Sequence, residues 1–204
     1  EENIMPLGAN KAAIMGVAGV STADVVLLYD TDHSGVSSVS ITSGIDSTYS
    51  SYIFKIYLLN PATDEQGFNF NGSIDGGSNY NVSKTSAAFT ANHDEDDNPA
   101  AMAYETSQDL PDGEPLVYTG YQRLTSSMSN SADMNGAITL TLFNPSSTTY
   151  VKHFYSESAD NGFNRAMHSF RAGYFNTTSA IDAIAFKTDA GGAFDATIKM
   201  WGVK

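Results

Sequence analysis

The chain has 204 residues, of which 41% are hydrophobic and only 16% charged, with a formal charge of −13, four histidines and no cysteine. That length suffices for one well-formed core. Ten Lys and Arg residues, none clustered, exclude a phosphate-tracking surface, so no nucleic-acid partner is expected. The missing cysteines exclude disulfides, thiolate catalysis and cysteine-ligated zinc.

The opening EENIMPLG is acidic where a secretory signal is basic, and no apolar run reaches membrane-spanning length, so no membrane insertion is expected. Residues 1–22 are small, mildly apolar and rich in Gly and Ala. They predict an extended N-terminal arm that docks through Ile14, Met15, Val17 and Val20. Residues 23–204 predict a single β-sandwich domain.

Strand signals follow in order. DVVLLYD (24–30) is a short β-branched and aliphatic run, and VSSVSITSG (36–44) is Ser/Thr-rich with Val39 and Ile41 on one face. YIFKIYLLNP (52–61) places Phe54, Ile56 and Leu58 on one face and Lys55 and Tyr57 on the other, and Pro61 ends it. GFNFNGSI (67–74) alternates Phe68 and Phe70 with asparagines. Residues 84–114 predict a long irregular insertion facing outward, with AAMAYETSQ (100–108) as a short helix or turn. PLVYTGYQRL (115–124), GAITLTLFNP (136–145) and YVKHFYSES (150–158) predict strands. AIDAIAFKTD (180–189), the Gly191–Gly192 turn and AFDATIKMWGV (193–203) predict a closing hairpin. No segment carries a helical stripe. The fold expected is all-β: an antiparallel β-sandwich of jelly-roll type.

Chemistry-bearing patterns are few. NHDEDDNP (92–99) sets His93 beside four consecutive carboxylates, and DTDHSG (30–35) matches the first half of a calcium loop. Hard oxygens attract Ca²⁺, so Asp30, Asp32, Asp94 and Asp96 are weak Ca²⁺ candidates. Neighbouring residues of an extended chain point in alternate directions, however, and Ile41 stands where the bidentate carboxylate of a calcium loop belongs. A strand-connecting turn and a solvated loop are the plainer expectations for the two stretches. No other cofactor is expected.

SIDGGSNY (73–80) resembles the Asp-box turn, a hairpin element of β-proteins, and one copy makes no propeller. There is no nucleophile elbow, no HExxH and no phosphate loop, and His33, His93, His153 and His168 are scattered. No enzyme activity is expected. Tyr118, Tyr121 and Trp201 are the candidates for stacking on a glycan or another partner.

ITSGIDSTYSSYIFKIYLLNPATD, SIDGGSNY, LFNPSSTTYVKHFYS and AGYFNTTSAIDAIAFKTDAGGAFDATIKMWGV, in that order, resemble a group of small virion proteins of tailed bacteriophages, frequent in phages of aquatic bacteria. The resemblance runs from Val36 to the C-terminus, leaving out 84–114 and residues 1–22, with Trp201 where the group has a tyrosine. It implies a β-sandwich structural protein on the particle, assembled in the host cytoplasm. The first expectation is a capsid decoration protein attached through its arm. The second is a tail-fibre or receptor-binding head domain that recognises host-surface glycans, and a glycan-active enzyme ranks last. The implied partners are capsid or tail proteins of the same virion and further copies of the chain, a trimer by analogy.

Overall fold

A computed structural model describes residues 24–97, 100–110, 120–162 and 164–204. They form twelve strands: β1 (Val25–Val36), β2 (Ser38–Ile41), β3 (Ser51–Pro61), β4 (Phe68–Ser73), β5 (Lys84–Asp94), β6 (Ala101–Tyr104), β7 (Gln122–Arg123), β8 (Gly136–Phe143), β9 (Lys152–Gly162), β10 (Arg165–Phe175), β11 (Ala183–Thr188) and β12 (Phe194–Val203). No helix occurs among the described residues. One sheet has the order β1-β12-β3-β8-β9-β10-β5-β6 and the other β2-β11-β4-β7, with every pairing antiparallel. The fold is an all-β, two-sheet sandwich, as expected.

Period-two patterning sorts the side chains. Ile138, Leu140 and Leu142 of β8 and Phe194, Ala196, Ile198 and Met200 of β12 all face the core. β4 contributes most per residue. Its Phe68 meets Phe186 of the same sheet (5.8 Å between centroids) and Phe194 of the opposite one (5.0 Å). Its Phe70 meets Phe154 (5.0 Å) and Phe175 (6.0 Å), both from the larger sheet. Phe68 lies parallel to Phe186 and the other three pairs are edge-to-face, and both arrangements suit the ring quadrupoles.

Several expectations are corrected. Within 84–114 the described residues include two strands where an irregular insertion is expected: β5 and β6 widen the larger sheet, with Met102 and Tyr104 in β6, and a turn follows at Thr106–Gln108. DTDHSG is not a connecting turn but the second half of β1. A bulge between His33 and Val36, with Gly35 at φ 65°, then ends the strand.

Leu58 does not share the inward face of β3. A bulge between Ile56 and Leu59 gives Leu58 a φ of 54° and turns it outward, 62% exposed, while Leu59 takes the core position. β11 and β12 do not form a hairpin. β11 pairs with β2 and β4, and β12 with β1 and β3, so the Gly191–Gly192 turn carries the chain from one sheet to the other. Gly202 is required where it sits, because a Cβ there would lie 2.4 Å from the Tyr49 ring. β10 carries no clean alternation and was not anticipated. Of 115–124, only Gln122–Arg123 is a strand among the described residues.

Among consecutive strands, only β5–β6, β8–β9 and β9–β10 pair with each other; the other connections change sheet. With β5, β6, β9 and β10 set aside, eight strands remain, ordered β1-β12-β3-β8 over β2-β11-β4-β7. The four set aside form a lateral extension of the larger sheet beyond β8.

Phe70 is the residue through which the small sheet grips that extension. Phe70→Ala is expected to lower the unfolding free energy by about 3–5 kcal/mol, read as a lower denaturant midpoint at unchanged m-value. A loss below about 1 kcal/mol would mean that the contact between the small sheet and the extension does not hold the layers together.

Candidate functional site

The acidic candidates are each engaged by neighbours. Asp30 pairs with Lys199 at 2.9 Å, and Asp32 accepts a hydrogen bond from the Thr197 hydroxyl at 2.6 Å. Both partners are β12 side chains, as suits a strand and not a turn. Asp94 closes the turn after β5: its Oδ1 accepts from Asn164 Nδ2 (2.8 Å) and from Asp96 N (3.0 Å), and its Oδ2 lies 3.4 Å from Arg165 Nε. Asp96 accepts from Asn164 Nδ2 at 3.3 Å. Among the described residues no three His, Asp or Glu side chains converge as a metal-holding group.

The aromatic candidates are not brought together. Tyr118 lies outside the described residues. Tyr121 is half-buried beside the small sheet, with Lys187 Nζ 4.1 Å from its ring centroid, and burial, then the neighbouring Tyr80, pushes its hydroxyl up to about 12. Trp201 lies on the far side of the molecule, on the outer face of the larger sheet, in register with Leu27 and Ile53.

SIDGGSNY forms the turn its pattern predicts, but joins β4 to β5 across sheets instead of closing a hairpin. The Ser73 hydroxyl donates to Asp75 Oδ1 (2.6 Å) and accepts from Gly77 N (2.9 Å), and Asn79 bonds both Asp75 oxygens through N (2.9 Å) and Nδ2 (2.7 Å). Bonds from Ser73, then Asn79, hold the Asp75 carboxyl at about 2. The motif is a rigid corner.

Burial itself shifts the ionisation of three groups inside. Lys84 Nζ donates to Asn71 Oδ1 (2.6 Å), Gly120 O (2.7 Å) and Val82 O (3.1 Å), under the Phe175 ring at 5.2 Å. Burial holds its ammonium well below the usual lysine range. Arg171 is lowered to about 10, chiefly by burial. It donates to Phe89 O and Phe170 O (2.9 Å each), to Arg123 O (3.2 Å) and to Gln108 Oε1. Burial raises the Asp160 carboxyl, against bonds from Ser126 and Ser158. These polar side chains attach the segments around Gln108 and 120–126 to the inner face of the extension.

What the fold does assemble is the outer face of the eight-stranded sheet. One register row crosses it as Asp30–Lys199–Lys55–Thr139 over β1, β12, β3 and β8, then as Glu157–Phe170–Phe89–Tyr104 over the extension. The first half is charged and the second aromatic. Phe89 stacks on Phe170 at 4.6 Å, and Tyr104 and Met102 are 54% and 76% exposed at the edge. A shallow depression of about 260 Å³ lies mid-sheet between Tyr57 and His168, floored by Ala137 and Ala159.

A deeper concavity of about 510 Å³ opens at the β8–β9 loop, lined by Phe143, Asn144, Ser147, Tyr150, His153 and Thr178 among others. Phe143 and Tyr150 are aromatics of this concavity that the sequence reading does not single out. The signal available was the loop NPSSTTY, a hydroxyl-rich turn placed directly before an aromatic between two strands.

No family model matches the chain, and no curated protein matches it. Two solved structures show distant likeness. Arcelin-5, a lectin-like defense protein from Phaseolus vulgaris, is 10% identical over 88% of this chain and 93% of its own, at a TM-score of 0.16. The VP2 subviral particle of infectious bursal disease virus is 11% identical over 88% of this chain and 41% of its own, at 0.14. At such scores neither likeness carries an argument about fold or role.

Two outcomes follow from the electrostatics. The existing partners of Asp30, Asp32, Asp94 and Asp96 predict the same melting temperature in calcium and in chelator; a rise with calcium would restore a cation site to these loops. Lys84 gives a pH test. With its folded pKa depressed, the unfolded chain binds more protons between that value and about 10.4, so stability from this group rises with pH there and is lost as pH falls through the folded value. Chemical denaturation should therefore show the native chain gaining on Lys84→Met from neutral pH to about pH 10. Parallel curves would mean that Lys84 titrates normally.

Proposed function

We propose that the chain is a structural protein of a tailed-bacteriophage particle, a capsid decoration protein that presents the sandwich outward. The observation that supports this most is the strand order. β1-β12-β3-β8 over β2-β11-β4-β7 is the pairing expected of an eight-stranded jelly roll, an architecture shared by viral capsid and lectin domains. Fold by itself does not imply role; the motif order noted in the sequence supplies the virion context. The extension adds a broad, flat outer face suited to contacts with the shell or with sister copies in a homo-oligomer. Lys84, Asp160 and Arg171, whose ionisation burial shifts, are shut inside, and the exposed Asp75 is held by bonds within its own turn, which suits a non-enzymatic role.

Attachment is assigned to the arm, residues 1–22 with Ile14, Met15, Val17 and Val20, which lies outside the described residues. Its apolar content supplies burial at roughly 25 cal/mol per Å² before ordering costs, and many copies on one particle add avidity.

The test is occupancy. Quantitative mass spectrometry of purified particles should find many copies per particle, where a tail-fibre head would give a handful. A chain lacking residues 1–22 should keep its β-sheet circular dichroism and fail to join particles. Normal occupancy by the truncated chain removes the arm as anchor, and absence of the polypeptide from particles removes the proposal.

A further inference from the structure

We propose that the concavity at the β8–β9 loop binds a neutral saccharide. Its volume, about 510 Å³, falls in the range of small-ligand clefts, about 300–1,000 Å³. In a chain of net charge −13 it is lined, among the described residues, by no Asp, Glu, Lys or Arg. Its lining joins the aromatic Phe143 and Tyr150 and the apolar Val151 with His153 and the amide- and hydroxyl-bearing Asn144, Ser147, Thr149 and Thr178. A pyranose offers the matching pair of surfaces: C–H faces that stack on aromatic rings, and hydroxyls that donate to and accept from amides and hydroxyls. An anionic sugar would instead meet the field of an acidic protein with no cation in the cleft to receive it.

The loop is built before a ligand arrives. Asn144 holds a left-handed φ of 45° and its N donates to Ser50 O at 2.7 Å. Ser147 N donates to Asn144 O (3.0 Å), and Ile181 N donates to Pro145 O (2.8 Å), tying the loop to the segment before β11. Ser147 Oγ accepts from Thr149 N (3.3 Å) and Tyr150 N (3.1 Å), which fixes the backbone beneath Tyr150. The Tyr150 side chain is nevertheless 74% exposed. With the backbone beneath it braced, Tyr150 leaves only its side-chain rotamer to be ordered at binding. The aromatic surface also continues onto the sheet, from Phe143 to Tyr155 at 5.8 Å and from His153 to Tyr174 at 5.6 Å, leaving room for more than one sugar ring.

None of this uses the particle role, so purified full-length chain suffices for the test, and its failure leaves the occupancy experiment untouched. The ¹⁵N-labelled protein is titrated with methyl glycosides of glucose, galactose, mannose and N-acetylglucosamine, then with short neutral oligosaccharides of each, and with sialyllactose as the anionic probe. At least one neutral series should shift the amides of residues 143–153 and Thr178, with sialyllactose weaker. Tyr150→Ala should lower affinity by about tenfold or more at unchanged melting temperature, Tyr150→Trp should retain binding, and Tyr104→Ala at the far edge should leave it unchanged. The proposal is overturned if no neutral saccharide moves this loop, or if Tyr150→Ala binds as well as the native chain. It is overturned equally if Tyr150→Ala changes the sedimentation coefficient and not saccharide binding, since the loop is then a contact between protein copies.

Discussion

Phe68 and Phe70, two residues apart on β4, reach out of the four-stranded sheet and touch different halves of the larger one: Phe68 meets Phe194 of β12, and Phe70 meets Phe154 and Phe175 of the extension. A small sheet laid over a sheet twice its width needs such a double grip, because the extension has no apolar layer of its own to lie on. The inner faces of β5, β9 and β10 carry Thr90, Ser156, Ser158, Asp160, Ser169 and Arg171, all buried. Only their first rungs, around Phe154 and Phe175, join the common hydrocarbon core.

The rest of the extension is therefore held by polar contacts. Arg171 spends its donors on carbonyls and on Gln108, and Asp160 takes bonds from Ser126 and Ser158. Buried polar groups cost free energy unless each finds a partner, and partnered ones specify geometry more than they add stability. Lys84 is the extreme case. Its ammonium sits among Asn71 Oδ1 and two carbonyls with no carboxylate beside it, so it ties β5, β4 and Gly120 together while its charge works against folding.

This division shapes the surface. The β1-β12-β3-β8 half shows water a charged row through Asp30, Lys199 and Lys55, whereas the extension shows Phe170, Phe89 and Tyr104. The β8–β9 loop stands where the two halves meet, and its cleft combines the aromatic character of the one with the hydroxyl-rich turn that ends the other. Loops held on a rigid sandwich in this way are common sites of recognition.

The all-β class was legible because alternation in β3, β8 and β12 is a local property: each strand announces its buried face two residues at a time. The Ser73–Tyr80 corner was legible for the same reason, since its hydrogen bonds close within a few residues. Pairing is not local. That β11 and β12 belong to different sheets, that β5 and β6 extend the larger one, and that β10 is a strand at all depend on partners far along the chain, and β10 hides its period because polar Ser169 and Arg171 take its inward positions. The outward turn of Leu58 needed the bulge, and the cleft beside Tyr150 needed β8, β9 and residue 178 in one place. The sequence alone determined which segments are extended and which face of most of them turns inward. Only the tertiary structure decided which strands are neighbours, and therefore which aromatic rings and hydroxyls share a cleft, because hydrogen bonds between distant strands carry no signature in either strand by itself.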